Sequence, residues 1–268
     1  MFFNLVTLSK DKRLDQASRD KINYFCSKSI QKMKIEDLRH YFSVPRVNRY
    51  LFATGNSIHK AIQLYKANLK ISQAFHPLLG VFEVVLRNKL NHILTDYFAD
   101  KDWIINQKNG FMSDKSLQFT YKRTGEMKTN DFLKREITKA EKRLLKTGTS
   151  PTSGKIIAEQ TLGFWTDLFE VHHYRLLRGK PIQIFQSLPS GHRRKEVNDG
   201  LNKIRRFRNR INHNEPICFN GNWIDFTETE AVYTSLVNLL TWIDPKIVKF
   251  VSDIDNVQKT IEEAKKNV

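Results

Sequence analysis

The sequence is poor in residues that interrupt helices. Its 268 residues include only 11 Gly and 7 Pro, too few for the many turns of an all-β fold, so helices are favoured from the outset. Cysteine is scarcer still. Cys26 and Cys218 stand alone, with no C-x-x-C and no Cys/His pair at zinc spacing, which argues against a disulfide scaffold or structural metal and fits a reducing compartment. No apolar run approaches the ~20 residues that span a bilayer. The opening MFFNLVTLSKDKRLD has an apolar run too short for a secretory signal, with no basic region ahead of it. A soluble, cytoplasmic protein with no membrane partner is expected. Negative charge is also short: 28 Asp and Glu face 45 Lys and Arg, a formal net charge of +17. That excess points to a polyanionic partner, nucleic acid before an anionic membrane surface.

What is abundant is apolar and aromatic. An apolar content of 40%, with 18 Phe, 8 Tyr and 4 Trp, is enough for a real core and argues against disorder. The N-terminal third reads as a succession of helices, broken at Ser43–Pro45, where Ser can cap, and again at Gly55-Asn56-Ser57. Ile58, Ile62 and Tyr65 follow helical spacing after that break. A long helix is expected from Pro77, with Phe82, Leu86, Leu90, Ile93 and Tyr97 on its apolar face and an end near Ala99-Asp100. Residues 106–130 read as a loop with short elements. NDFLKREITKAEKRLLKTG reads as a helix capped by Asn130 or Asp131 and ended by Gly148. Between Tyr121 and Lys146 the chain carries nine Lys and Arg against four acids.

GTSPTSGK (148–155) invites a phosphate-loop reading and fails it. Five residues separate its glycines instead of four, and Ile156 stands where Ser or Thr should bind magnesium. It reads as a linker. KIIAEQTLGFWTDLFEVHH reads as a helix bent near Gly163, with Phe164, Trp165, Leu168 and Phe169 in the core. His172 and His173 point about 100° apart, so surface or helix-end positions suit them better than metal ligation. A final long helix spans about Thr227 to Trp242, capped by Asp225 or Thr227, followed by a short terminal helix.

One pattern is written twice: RNKLNH (Arg87–His92) and RNRINH (Arg208–His213). Val197, Leu201, Ile204 and Ile211 give a core stripe leading into the second copy, with eight Lys and Arg between Arg193 and Arg210. Glu215-Pro216 follows, and a residue before proline leaves the helical region, so this helix should end at His213 or Asn214. Arg208 and His213 lie about 140° apart on an ideal helix and would not converge in its middle. At a terminus His213 can turn, Arg208 can reach over the same surface, and Asn209, one turn earlier, can hydrogen-bond the ring. These are the parts of metal-free RNA cleavage: an imidazole that exchanges protons near working pH, and a guanidinium that forks onto phosphate oxygens. In the first copy no breaker follows His92, and Glu83 reads as an ordinary helical ion-pair partner of Arg87. The alternative is that Glu83 and Arg87 border the same cleft and help hold RNA or His213.

RFRNRINHNEPICF resembles the signature of the Abi-like abortive-infection proteins, the AbiD and AbiF group of the HEPN superfamily of helical ribonucleases. AIQLYKANLKISQAFHPLLGVFEVVLRNKL, KIIAEQTLGFWTDLF and SVPRVNRYL fit the same family, so the likeness spans roughly residues 40 to 245. It implies an all-α, HEPN-type multi-helix bundle with additional N-terminal helices. On that basis residues 1–105 form an N-terminal helical region packing on the bundle, 106–155 a basic helix with connecting loops, and 156–268 the region carrying RNRINH, unless all form one continuous domain. The resemblance also implies metal-independent endoribonuclease chemistry without a cofactor, a homodimer, and a role in antiphage defence or toxin–antitoxin behaviour. A noncoding RNA is a second implied partner. By carry-over Arg208 and His213 are catalytic and Asn209 supports them. Glu83, Arg87 and Asn88 match the family's E-x-x-x-R-N element, and Arg205, Arg206, Arg210 and Asn214 complete the RNA-binding or supporting set. The family commonly shows two consecutive histidines where this chain has His213-Asn214, and Asn cannot titrate. Two other functions compete. One is a non-catalytic module holding a structured RNA. The other, a nucleotidyl or phosphate transferase, lacks a Gly-rich loop and a paired-Asp metal site.

Overall fold

In a computed structural model that describes residues 34–267, helices dominate. They are α1 (Ile35–Phe42), α2 (Val44–Ala53), α3 (Ile58–Phe98), α4 (Trp103–Asn106), α5 (Phe132–Lys146), α6 (Ser153–Glu159), α7 (Leu162–Asp167), α8 (Val171–Leu176), α9 (Arg194–Asn212), α10 (Thr227–Ile243), α11 (Pro245–Val251) and α12 (Val257–Asn267). Two small antiparallel hairpins interrupt them: β1 (Gln118–Thr120) with β2 (Met127–Thr129), and β3 (Phe219–Asn220) with β4 (Trp223–Ile224). The all-α expectation holds. The helical reading of residues before 34, and Cys26, fall outside the described residues.

The spine is α3, 41 residues and about 60 Å long at 1.5 Å per residue. It begins where Ser57 Oγ accepts from the Lys60 amide and ends at Ala99, whose φ of 48° turns the chain out of the helix. Its inward stripe is Ala61, Leu64, Asn68, Ile71, Phe75, Leu78, Phe82, Leu86, Leu90 and Leu94, so the first half faces the core through Ala61 and Leu64 rather than Ile58. Helices α2, α7, α10 and α12 pack along it, and the Phe75 ring meets Phe207 of α9 at 4.9 Å. The core draws on residues from Val47 to Ala264.

Pro77 does not start this helix, as its position suggested; it lies inside it. Its ring removes one hydrogen bond, to the Gln73 carbonyl. Both residues lie on the solvent face, where water satisfies that carbonyl, while Phe75, Leu78 and Leu79 hold the turns on either side against one core. The fused helix corrects a second expectation. It is long and apolar enough to cross a membrane, with a mean hydropathy of 1.3 over its most apolar 18 residues, although 44% of that window is buried inside the protein. That burial is what a core helix shows.

Three further differences have local causes. Ser43 does break the chain, but through a φ of 67° and not by a side-chain cap. The segment from Ser153 to Leu176 forms three short helices, separated at Gln160–Thr161 and at 168–170, without a bend at Gly163. Gly163 sits inside α7, where a β-carbon would make ordinary van der Waals contact with Thr161 and the Phe132 ring at 3.4 and 3.6 Å. His173 is fully buried, with Nδ1 2.8 Å from Asp167 Oδ2, because its helix is turned inward beside Phe111.

Asn68 is the polar exception on α3's inward stripe. Its amide oxygen accepts from the buried Ile217 amide at 2.7 Å and anchors the chain that leaves α9. Removing that acceptor strands a buried donor. Asn68→Ala is expected to lower unfolding free energy by about 1–3 kcal/mol, read from urea transitions followed by circular dichroism.

Candidate functional site

Helix α9 carries the second RN-x-x-x-H copy to the protein surface. At its start the Glu196 carboxylate accepts from the Arg193 amide at 2.8 Å, a bond that holds this carboxyl below the usual range. Val197, Leu201, Ile204, Phe207 and Ile211 bury its inner face, and Gly200 lets α10 approach, with Leu239 3.4 Å from where a β-carbon would be. The helix stops where the sequence indicated: Asn212 is its last residue and His213 its cap. Asn214 then adopts φ 53°. Its amide bonds the Ile211 carbonyl at 2.9 Å and the Glu215 amide bonds the Arg210 carbonyl at 2.8 Å. This is a Schellman ending, which places a left-handed residue after the cap. Asn tolerates that conformation better than other non-glycine residues, so Asn214 suits the turn it occupies.

The loop beyond the cap is tied from three sides. Arg46 of α2 donates to the Asn214 carbonyl, Asn68 of α3 holds Ile217, and Thr229 of α10 donates to the Ile217 carbonyl at 2.5 Å. Arg210 donates to the Pro216 carbonyl and to Glu228. Burial pushes the Cys218 thiol up to about 12, so it packs as a neutral side chain.

Arg208 turns toward α3. Its Nη2 lies 3.3 Å from Glu83 Oε2. With the Asn212 amide oxygen facing the guanidinium, Asn212 accepts from Nε at 3.3 Å and Nη1 at 3.2 Å. The expected Glu83–Arg87 pair is therefore not formed. Arg208 reaches the carboxylate from a different helix, and Arg87 is left with no hydrogen bond or ion pair among the described residues, its Nε buried. The second copy thus contacts α3 through Glu83, one turn before the first copy, and not through the first copy's own residues. His92 stays exposed on mid-helix, and its neighbour Asn91 accepts from Trp103 Nε1 at 2.9 Å.

His213 and Asn209 are both exposed. The Asn209 carbonyl accepts from the His213 amide at 3.0 Å, but among the described residues no bond joins the Asn209 side chain to the His213 ring, which is free to meet a ligand. Asn88, Arg206 and Asn214 are exposed as well, and Arg205 is engaged by Asn202 at 2.9 Å. Sequence reasoning missed Asn68, Arg46 and Asn212. A lone amide on an apolar stripe, at the helical step from Leu64 to Ile71, was the available signal for Asn68.

The sequence profile of the Abi-like proteins matches residues 20–218, ending four residues past Asn214. The chain belongs to the Abi-like family. No curated protein and no solved structure matches it. The matched span of this Abi-like chain includes both copies of the pattern, the Arg46 clamp and the Asn68 anchor, while Thr229 and Glu228, which also frame α9's end, lie beyond it.

The Schellman turn yields a paired test. Asn214→Gly should leave stability nearly unchanged, while Asn214→Val should cost about 1–2 kcal/mol, as measured by chemical unfolding of both variants.

Proposed function

We propose that this Abi-like chain is a metal-independent endoribonuclease of the HEPN type, acting in abortive infection or as a toxin. The observation that carries the reading is an exposed imidazole, His213, capping a basic helix whose Arg208 is held in place one turn earlier. A guanidinium has five N–H donors. Asn212 and Glu83 take three, leaving two for phosphate oxygens.

In the proposed reaction the ribose 2′-oxygen attacks the adjacent phosphorus while an imidazole accepts its proton. The P–O5′ bond breaks, and the 5′-oxygen leaves with a proton returned by an imidazolium. Arg208 offsets the charge that grows on the nonbridging oxygens, and Arg87, a cation with no protein partner among the described residues, supplies a second phosphate contact from α3. The products are a 2′,3′-cyclic phosphate and a 5′-hydroxyl. Glu83 and Asn212 position Arg208 and touch no reacting atom.

A homodimer would bring a second His213 to supply the returning proton. Its support is a shallow apolar depression of about 450 Å³ on α3 and α11, lined by Gly80, Val81, Val84, Val85, Ile247 and Phe250. It lies one helical stripe from Glu83 and Arg87. The non-catalytic reading, in which the chain binds a structured noncoding RNA, draws on a different observation: Glu83 already occupies the guanidinium that catalysis needs. Co-purifying RNA and salt-sensitive binding without cyclic phosphate ends would mark it.

The deciding experiment incubates wild type, Arg208→Ala and His213→Ala with total RNA plus EDTA and identifies the end groups. Wild type should leave cyclic phosphate ends in chelator, and each variant should cleave at least ~10²-fold more slowly while still folding and binding RNA. Cleavage retained by both variants rejects the assignment.

A further inference from the structure

Six residues beyond His213 the chain enters a hairpin with no part in the site around Arg208 and His213. Its cross-strand pairs are Phe219 with Ile224 and Asn220 with Trp223, and successive strand residues face opposite sides. The inner pair packs: Phe219 is buried, edge-on to Tyr50 at 5.2 Å. The outer pair does not. Trp223 is 81% exposed, more than any other large apolar side chain on the described surface, and Asn220, Gly221 and Asn222 beside it are exposed too. An indole held in water in this way adds nothing to its own core.

The hairpin is held in a fixed place. Arg49 of α2 donates to the Gly221 carbonyl at 2.9 Å and covers the Phe219 ring at 4.7 Å, and the Asp225 amide closes the base on the Cys218 carbonyl at 3.0 Å. One turn earlier on the same helix, Arg46 holds the Asn214 carbonyl beside His213. Three helical residues rise only about 4.5 Å, so neighbouring turns of α2 hold the backbone at Gly221, two residues before Trp223, and at Asn214, next to His213.

We infer that Trp223 is a stacking platform for an unpaired RNA base flanking the strand held at His213, with the Asn220 and Asn222 amides available to the base edge. The inference rests on the ribonuclease reading and adds to it a substrate class, single-stranded RNA. Every base has a face that stacks on an indole, whereas bases inside a duplex already stack on each other. The strong positive charge of the chain brings the backbone in, and the braced aromatic then selects strands with a free base. Trp223 lies outside the span matched by the family profile.

The test uses the full chain carrying His213→Ala, so that RNA stays intact. It is titrated with a short unstructured RNA and with the same strand annealed to its complement, following both RNA anisotropy and tryptophan emission. Trp103 and Trp165 are fully buried and Trp242 partly so, which makes Trp223 the responsive fluorophore. The single strand should quench emission, and Trp223→Ala should weaken its binding by about 5- to 100-fold. Trp223→Phe should restore much of the loss, and duplex binding should change little. Equal single-strand affinity with and without Trp223 overturns the platform and leaves the ribonuclease reading standing. So does a Trp223→Ala effect confined to sedimentation, which would assign the indole to a protein interface. No RNA binding by the parent overturns both.

Discussion

The contact between Glu83 and Arg208 is the constraint on which the candidate site depends. It joins the spine helix to the end of the basic helix at 3.3 Å, between side chains that are each about one quarter exposed. A pair so open to water adds little to stability, on the order of 0–1 kcal/mol. Its effect is directional. His213 lies five positions after Arg208, and on an ideal helix their side chains diverge. Glu83 and Asn212 fix where the guanidinium points, and the helix end fixes where the imidazole stands. Neither group is placed by the other.

The chain after the helix is framed by the same logic. A Schellman turn closes α9, and partners from α2, α3 and α10 take the Asn214 carbonyl and both backbone groups of Ile217. Backbone polar groups leaving a helix need partners, and here each partner comes from a different element. The exposed residues, Asn209, His213 and Asn214, therefore sit on a surface that is open to solvent yet braced beneath. Binding geometry gains from such support because less ordering remains to be done when a ligand arrives.

The repeated hexapeptide shows how far letters alone reach. In the second copy a proline three residues on ends the helix, and the histidine becomes a cap. In the first, nothing stops the helix, His92 stays on a lateral face, and Asn91 turns to Trp103. Identical residue types thus acquire different chemistry from their C-terminal neighbours. The second copy's link to α3 comes through Glu83, which lies outside the repeat and 125 residues from Arg208.

Periodicity, breakers and caps were local, and so legible in the sequence: the all-helical class, the core face of α9, the Phe82, Leu86 and Leu90 part of the core face of α3, the end of α9 at His213, and the hinge at Gly55–Ser57. Pro77 misled because a lost hydrogen bond is harmless where the freed carbonyl faces water, and that depends on which way the helix is turned. His173 misled for the same reason, since a short helix declares its inward side only once packed. Who holds Arg208, why Asn68 interrupts an apolar stripe, and what Arg46 and Arg49 grasp were decided by tertiary structure alone. Apart from Asn212 on Arg208, those contacts join residues more than a hundred positions apart, and a local pattern specifies which face a side chain occupies but not what the fold brings to meet it.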